Sequence, residues 1–343
     1  MISGSVSGED LGRTEFAQIG RYTASPSPVT TPQVFTLTLL AMIAFASNSL
    51  LCRLALKQTS IDAASFTFIR IFSGAVALWL IMKIRTWLIT DRTPSPRAAS
   101  FSHSSPITDH SSLRRTTCFV AGNWLSALTL LVYAAGFSFA YTTLSAGTGA
   151  LLLFGAVQAT MIFWGMHKGE RLDATQIAGF LIAVTGLVVL VFPGLSAPPL
   201  IGSILMLGAG VAWGIYSLRG KGERNPASAT TGNFVRAVPF AAAVSIIFVP
   251  WAHVDFTGVT YAIISGAITS GLGYVIWYSA LPGLTATSAA SVQLSVPVLA
   301  ATGGILLLSE LVTLRYVLAS IAVLGGIALV VVTPHSQDRM SNP

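Results

Sequence analysis

"ASFTFIRIFSGAVALWLI", residues 64–81, is an apolar stretch with a single charged residue, Arg70, inside it. A second apolar stretch, "GNFVRAVPFAAAV" (232–244), carries Arg236, which follows Arg70 by 166 positions. In both stretches a phenylalanine precedes the arginine by two positions. Inserting an arginine at the centre of a membrane helix costs about 2.5–3.5 kcal/mol of free energy. Its recurrence at a matching position therefore indicates a duplicated unit in which the charge has a function.

Further matches extend the duplication along the chain. Arg53 and Arg219 close two other apolar runs at the same offset of 166 positions. Later, "GFSFAYTTL" (136–144) corresponds to "GYVIWYSAL" (273–281) at an offset of 137, because the first copy contains a longer loop. The chain is therefore predicted to consist of two copies of one unit.

The composition is that of a membrane protein. Of 343 residues, 53% are hydrophobic and only 9% are charged, with a mean hydropathy of +0.73. A soluble protein carries about 25% charged residues, whereas an apolar run of about 20 residues spans the bilayer core. The sequence predicts an all-α integral membrane protein with ten transmembrane helices, at 34–56, 62–82, 118–140, 147–167, 174–192, 199–218, 231–250, 259–279, 286–308 and 312–332.

The ten spans divide into two predicted five-helix repeats. Because five is odd, the second copy enters the membrane from the opposite face, and such inverted repeats are typical of transporters with a site near the midplane. The tails and the long loop are rich in Ser, Pro or Arg and are predicted to be disordered or flexible. The predicted domains are a tail at 1–33, a first repeat at 34–192 with a cytoplasmic loop at 83–117, a second repeat at 199–332 and a tail at 333–343.

The basic residues predict the orientation. If both termini are cytoplasmic, 14 of the 19 Lys and Arg residues lie inside and only Arg53, Lys57 and Arg315 lie outside. This bias follows the positive-inside rule. It accounts for the net charge of +7 without a nucleic-acid partner and predicts a multi-pass protein of the cell membrane (inner or plasma membrane).

Several classes of function are disfavoured by what the spans contain. All five His residues, and the Asp and Glu residues, lie in loops or at span edges. Cys52 and Cys118 have no metal-site spacing and are expected to be packing residues. Catalysis would need a buried nucleophile–base pair or clustered metal ligands, and the chain has no phosphate-binding GxxxxGK[ST] motif. We expect no enzyme activity, no cofactor and no metal.

The order of several stretches resembles the EamA-type branch of the drug/metabolite transporter superfamily over about residues 34–332. They are "FASNSLLCRLAL", "IDAASFTFIR", "GERLDATQIAGFLIAVTGLVVLV" and "SGLGYVIWYSALPGLTATSAASVQLSVPVLAATGGILLLSE". The resemblance implies a ten-span, inverted-repeat transporter with a central cavity that moves small metabolites, often outward. Val157 lies opposite Pro297 in the repeat, so a symmetric proline hinge is not implied.

The two arginines are the main candidates for substrate binding. Arg70 lies about 12 Å into its span by helical rise, which makes snorkelling to a surface difficult. It either lines the pathway and binds a carboxylate or phosphate, or it caps backbone carbonyls between helices. Arg236 lies nearer its span's cytoplasmic end, so snorkelling competes with substrate binding there.

Other candidates are polar or amphipathic residues within the spans. Each has a structural alternative, either a hydrogen bond between helices or anchoring at the membrane interface. The carboxylates at span ends are expected to cap helices or to pair with a nearby arginine, Glu170 with Arg171 and Glu310 with Arg315. The remaining candidates for substrate binding are Asn48, Gln158, Trp213, Tyr216, Trp277, Tyr278 and Gln293.

The sequence thus favours a secondary transporter of small metabolites, such as amino acids or organic acids, working by alternating access and exporting its substrate. An importer or a nucleotide-sugar-type exchanger of the same superfamily is an alternative. From another class, the alternative is a membrane scaffold or receptor, which needs no polar residues at matching mid-span positions. The expected partners are the lipid bilayer, a small-molecule substrate and, as a homodimer, a second copy of the chain.

Overall fold

The computed structural model describes residues 31–90, 121–169, 172–194, 197–220, 223, 225–284 and 292–332. The predicted tail at 333–343 and most of the tail at 1–33 and of the loop at 83–117 lie outside these residues, as do Glu170, Arg171 and Cys118. The described helices are α1 Thr31–Gln58, α2 Ala63–Thr90, α3 Trp124–Tyr141, α4 Ala146–His167, α5 Ala174–Val191, α6 Leu200–Gly220, α7 Pro226–Ile247, α8 Phe256–Ala280, α9 Ser295–Leu308 and α10 Leu314–Val332.

Among the described residues, nine helices are long and apolar enough to cross a membrane, and these are all the helices except α9. α9 has 14 residues, and residues 285–291, where its predicted span begins, lie outside the described part of the chain. Large apolar side chains such as Phe35, Ile201 and Leu306 are exposed, as expected for a surface that faces lipid. The chain is an integral multi-pass membrane protein.

α2 continues past the predicted end of its span at residue 82. Its last residues, "KIRTWLIT" (83–90), remain helical, and the Lys83 ammonium lies 5.3 Å from the centre of the Trp79 ring. A helix need not end where the hydrocarbon core ends, because water can solvate its charged side chains beyond the core. The predicted loop at 83–117 therefore begins as helix.

Side-chain caps fix where several helices begin. Asn123 accepts a hydrogen bond from the Ser126 amide at the start of α3, and Asp255 accepts one from the Gly258 amide at the start of α8. The hydrogen bond from Gly258 is also the main reason why the pKa of Asp255 lies below its ordinary value. Such caps satisfy amides that have no partner within the helix.

The helices pack mainly across the two predicted repeats. α1 packs against α8 and α9, and α6 packs against α3 and α4. α2 packs against α7 and α8, while α7 packs against α2 and α3. α4 also packs against α9, and α5 against α10. Adding five to each helix number, and counting on from α1 after α10, converts α1–α8 into α6–α3, α1–α9 into α6–α4 and α2–α8 into α7–α3. The same operation leaves α2–α7, α4–α9 and α5–α10 unchanged.

α8 contains an irregular segment that faces the centre of the bundle. Residues Ser265–Leu272 form a π-helix inside an otherwise α-helical span. Gly266 lies so close to α2 that a Cβ atom there would collide with the Arg70 carbonyl and the Ser73 hydroxyl. Glycine thus permits the close approach that brings the polar side chains of this segment to α2.

Candidate functional site

The centre of the bundle is a polar cluster around Arg70. The Arg70 side chain is 2% exposed. Its Nη2 donates a hydrogen bond of 3.1 Å to the Tyr133 hydroxyl, and its Nε donates one of 3.4 Å to Ser270 Oγ. The guanidinium carbon also lies 4.7 Å from the centre of the Phe137 ring, a distance at which the ring face attracts a cation.

Asn48 joins this cluster from α1. Its Nδ2 donates to the Tyr133 hydroxyl over 3.4 Å, and its Oδ1 accepts hydrogen bonds from Ser265 Oγ at 2.7 Å and Thr269 Oγ1 at 3.2 Å. Asn48 therefore connects α1 both to α3 and to the π-helical segment of α8. The prediction that Asn48 and Arg70 belong to one site agrees with this arrangement, since both side chains contact Tyr133.

Aromatic side chains form the apolar walls of the site. The Trp213 ring of α6 lies between Tyr133 and Tyr274, with ring centres 4.8 and 5.1 Å away. The enclosed cavity measures about 20 Å³, which is room for about one water molecule. It is lined by Phe45, Asn48, Ser49, Tyr133, Phe137, Leu153, Phe154, Trp213, Thr269, Ser270 and Tyr274.

The charge of Arg70 is not neutralised within the described residues. Its Nη1 is buried and has no hydrogen-bond partner there, and Glu310 forms its ion pair with Arg53 instead. A buried donor without a partner is costly, more so when the group is charged. The site therefore offers a positive charge and an unused donor among hydroxyl and amide groups, a chemistry suited to an anion.

Two of the predicted residues belong to a second polar cluster, nearer the end expected to face the cytoplasm. The Tyr216 hydroxyl accepts a hydrogen bond from Asn233 Nδ2 at 3.4 Å, and Arg219 donates to Ser126 Oγ at 3.1 Å. Tyr216 and Tyr278 both line a small cavity of about 10 Å³ there. Tyr216 also stacks on Trp213, with ring centres 5.4 Å apart, so the two clusters are adjacent.

Arg70 does not itself line the central cavity but contacts its lining residues Tyr133 and Ser270. The other predicted residues lie outside the cavity as well. Arg236 donates to the backbone carbonyls of Ala121 at 2.7 Å and Gly232 at 3.0 Å, a capping role that the sequence suggested as an alternative for Arg70 and not for Arg236. Trp277 lies one ring away from the cavity, with its edge toward Phe45 at 6.0 Å between ring centres. Two further predicted residues, buried Gln158 and half-buried Gln293, are not among those that line the cavity.

Several residues of the site were not predicted from the sequence. Tyr133 contacts both Arg70 and Asn48, and Ser270 contacts Arg70 from the opposite side. Tyr133 and Ser270 correspond to each other at the offset of 137 that relates the two copies, so extending the repeat alignment by three residues would have found both. The contacts of Ser265 and Thr269 depend on the π-helical segment, which the sequence pattern does not indicate.

Glu310 makes different contacts from those predicted. Its Oε1 accepts a hydrogen bond of 3.1 Å from Arg53 Nε, and its Oε2 accepts one of 2.8 Å from the Ala146 amide at the start of α4. Arg315 instead donates to the Phe192 carbonyl. The predicted pairing with Arg315 is wrong, because the turn after α9 directs the carboxylate toward α1 and α4; the predicted capping role is confirmed.

Comparisons with known proteins agree with a membrane transporter. Residues 200–332 match the model of the EamA-like transporter family. An uncharacterized protein of Pseudomonas aeruginosa is 51% identical over 86% of this chain and 93% of its own length. An uncharacterized transporter of Archaeoglobus fulgidus is 27% identical over 62% of this chain and 75% of its own length.

One solved crystal structure of a protein shares the fold. It is 15% identical in sequence, and it aligns with a TM-score of 0.55 over 88% of this chain and 98% of that chain. At this identity the likeness concerns the arrangement of the helices only.

Proposed function

This chain belongs to the EamA-like transporter family, and we propose that it is a secondary transporter that exports small metabolites bearing a carboxylate. The family indicates a transporter rather than an enzyme. The proposed transporter has ten transmembrane helices in two inverted repeats, with both termini in the cytoplasm. It lies in the inner or plasma membrane. Its substrate is of the size of an amino acid or organic acid.

The observation that carries this proposal is the buried, uncompensated guanidinium of Arg70. Its Nη1 lacks a partner among the described residues, while Nε and Nη2 are held by Ser270 and Tyr133. A carboxylate bound beside Nη1 would accept its free proton and neutralise the charge. Hydrogen bonds between arginine and a carboxylate are among the stronger ones in proteins, so binding of an anion at this site would be favourable.

Alternating access is supported by which helices form the site. Asn48, Arg70 and Tyr133 come from α1, α2 and α3 of the first predicted repeat, whereas Trp213 and Ser270 come from α6 and α8 of the second. A cavity of about 20 Å³ is too small for a metabolite, so the helices must separate to admit one. Relative movement of the two repeats about the site would do this, as in other inverted-repeat transporters.

Export is supported by the distribution of charge and by the packing of the two ends. The end at which Arg53 lies is expected to face outward from the positive-inside rule, and it is held together by the ion pair between Arg53 and Glu310. Opening of the cytoplasmic end, with the outer end still held closed, would admit substrate from the cytoplasm.

The proposal is tested by transport in liposomes that contain the purified full-length chain. A panel of radiolabelled amino acids and organic acids is compared with the corresponding amides and esters, which lack the negative charge but keep the size. We expect transport of at least one carboxylate above the rate in empty liposomes, and loss of transport for its amide. Equal transport of acid and amide would contradict carboxylate recognition, and no transport of any compound would favour a scaffold or receptor.

A further inference from the structure

A charged cluster, separate from the two polar clusters described above, joins helices of both predicted repeats. It lies at the end of the bundle that is expected to face outward. At its centre, Arg53 of α1 donates Nε to Glu310 Oε1 over 3.1 Å. Its Nη1 donates to the carbonyls of Tyr141 at 2.8 Å and Thr142 at 3.2 Å, where α3 ends. Arg53 thus holds the end of α1 to the end of α3 and to the turn that follows α9.

The carboxylate of Glu310 completes the connection. Its Oε2 accepts a hydrogen bond from the Ala146 amide at the first turn of α4. Lys57, one turn beyond Arg53, donates to the Leu308 carbonyl at the end of α9 over 3.3 Å. Four helix ends, those of α1, α3, α4 and α9, are therefore held in one network around a single carboxylate.

The backbone around Glu310 is shaped to place this carboxylate. Ser309 ends α9 in the left-handed region, with φ 51° and ψ 39°, and it is the only non-glycine residue with positive φ among the described residues. Glycine is the residue that usually adopts this conformation. Gly304 leaves the space that the carboxylate occupies, because a Cβ atom there would lie 2.5 Å from Glu310 Oε2.

The corresponding arginine of the second copy has different contacts. Arg219 corresponds to Arg53 at the offset of 166, but its guanidinium donates to Ser126 Oγ and Asn123 Oδ1, which are neutral groups. The two related positions at opposite ends of the bundle are therefore held differently, one by an ion pair and one by neutral hydrogen bonds. A carrier that opens its ends in turn requires such a difference between them.

We propose that the Arg53–Glu310 ion pair is the outer gate of the transport cycle, which must break before substrate leaves the central site toward the outside. This inference rests on the proposed transport function. The ion pair lies beside a larger cavity of about 200 Å³, whose lining includes Glu310, Ser145, Thr148 and Tyr316. This cavity is the space into which the substrate passes when the gate opens.

Cys52 provides a native reporter for the gate. Its side chain is fully buried. Within α1 it follows Asn48 of the central site by four residues, about one helical turn, and directly precedes Arg53 of the proposed gate. The only other cysteine in the chain is Cys118, so a Cys118→Ser background leaves Cys52 as the single thiol.

The test measures the labelling rate of Cys52 in liposomes by 2-sulfonatoethyl methanethiosulfonate, a membrane-impermeant anion, added from the outer side. In the Cys118→Ser background we expect Glu310→Gln and Arg53→Gln each to accelerate labelling about tenfold or more, because loss of the pair shifts the population toward the open gate. The double variant should label no faster than either single variant, since both changes break one interaction. Glu223→Gln, at the opposite end of the bundle, serves as the matched control and should label at the unmodified rate.

Unchanged labelling in both single variants, additive effects in the double variant, or equal acceleration by Glu223→Gln would each overturn the gate. Arg53→Lys keeps the charge and should give an intermediate rate, so it carries the test if the uncharged variants do not fold. The assay needs no substrate. A failed substrate panel with gated labelling would therefore count against the proposed function alone, and the reverse result would count against the gate alone.

Discussion

Tyr133 is the side chain that holds the central site together. Its hydroxyl accepts hydrogen bonds from both Arg70 Nη2 and Asn48 Nδ2, and its ring packs against Trp213 at 4.8 Å between centres. It thereby links a charged, a polar and an aromatic side chain from three other helices. The proposed carboxylate substrate would meet these groups already oriented, which lowers the free-energy cost of ordering them on binding.

Replacing Asn48 by alanine tests how much this network stabilises the protein. The substitution removes its bonds to Tyr133, Ser265 and Thr269. Hydrogen bonds between membrane helices average about 0.6 kcal/mol, so we expect the free energy of unfolding to fall by about 2 kcal/mol. The measurement is equilibrium unfolding of the purified protein in mixed micelles.

Ser279→Ala is the matched control for Asn48→Ala. The Ser279 hydroxyl is exposed and bonds only the Val275 carbonyl of its own helix, so the free energy of unfolding should change by no more than about 0.5 kcal/mol. Equal effects of the two substitutions would show that Asn48 does not connect the helices.

Individual side chains of the site were only partly predictable from the sequence. A charge or an amide inside an apolar run is visible as an exception, which is why Arg70 and Asn48 were found. Tyr133 and Thr269 are ordinary residues for a membrane helix, and their role arises only from contacts with helices far away in sequence. Arg236 has the same local pattern as Arg70, but its guanidinium donates to the backbone carbonyls of Ala121 and Gly232.

The π-helical segment of α8 is the structural element on which the site depends most. One stretch, Ser265–Leu272, supplies Ser265, Thr269 and Ser270 to the cluster. π-Helical segments within α-helices occur frequently at functional sites. The segment approaches α2 closely at Gly266, next to the Arg70 backbone. Because Gly266 has no side chain, the π-helical segment can lie this close to Arg70.

Gly266→Ala tests this close approach. The added methyl group would collide with the Arg70 carbonyl and the Ser73 hydroxyl, so we expect a loss of about 1–3 kcal/mol in the free energy of unfolding. Gly208→Ala in α6 is the control, because a Cβ atom there has no neighbour within 4 Å; alanine should be neutral or slightly stabilising at that position. If Gly266→Ala behaves like Gly208→Ala, the contact between α2 and α8 is not tight.

The existence of the helices was predictable, but some of their limits were not. Hydropathy located the apolar core of the nine long described helices, since partition into lipid depends strongly on composition. It did not show that α2 continues to Thr90, because charged residues can extend a helix into water. It also could not show the π-helical segment, whose residues are as apolar and small as those of a regular helix.

The packing of the bundle agrees with the duplication predicted from the sequence. Repeat matching at Arg53, Arg70 and their counterparts predicted a site between the two copies, and the packing of α1 with α8 and of α6 with α3 agrees with that relation. Matching could not predict that the related arginines differ in their contacts. Arg70 is buried and Arg236 half-buried, and the two copies predicted from the sequence need not be in the same conformation.

The most direct test compares Arg70→Gln with Arg236→Gln in liposomes, using the carboxylate that the unmodified protein transports fastest. Hydrogen bonds to charged groups contribute about 1.5–3 kcal/mol, so Arg70→Gln should lower transport about 10- to 100-fold per folded molecule. Arg236→Gln, which changes the related residue outside the polar cluster around Arg70, should retain most of the transport. Transport by folded Arg70→Gln at the unmodified rate would contradict the account.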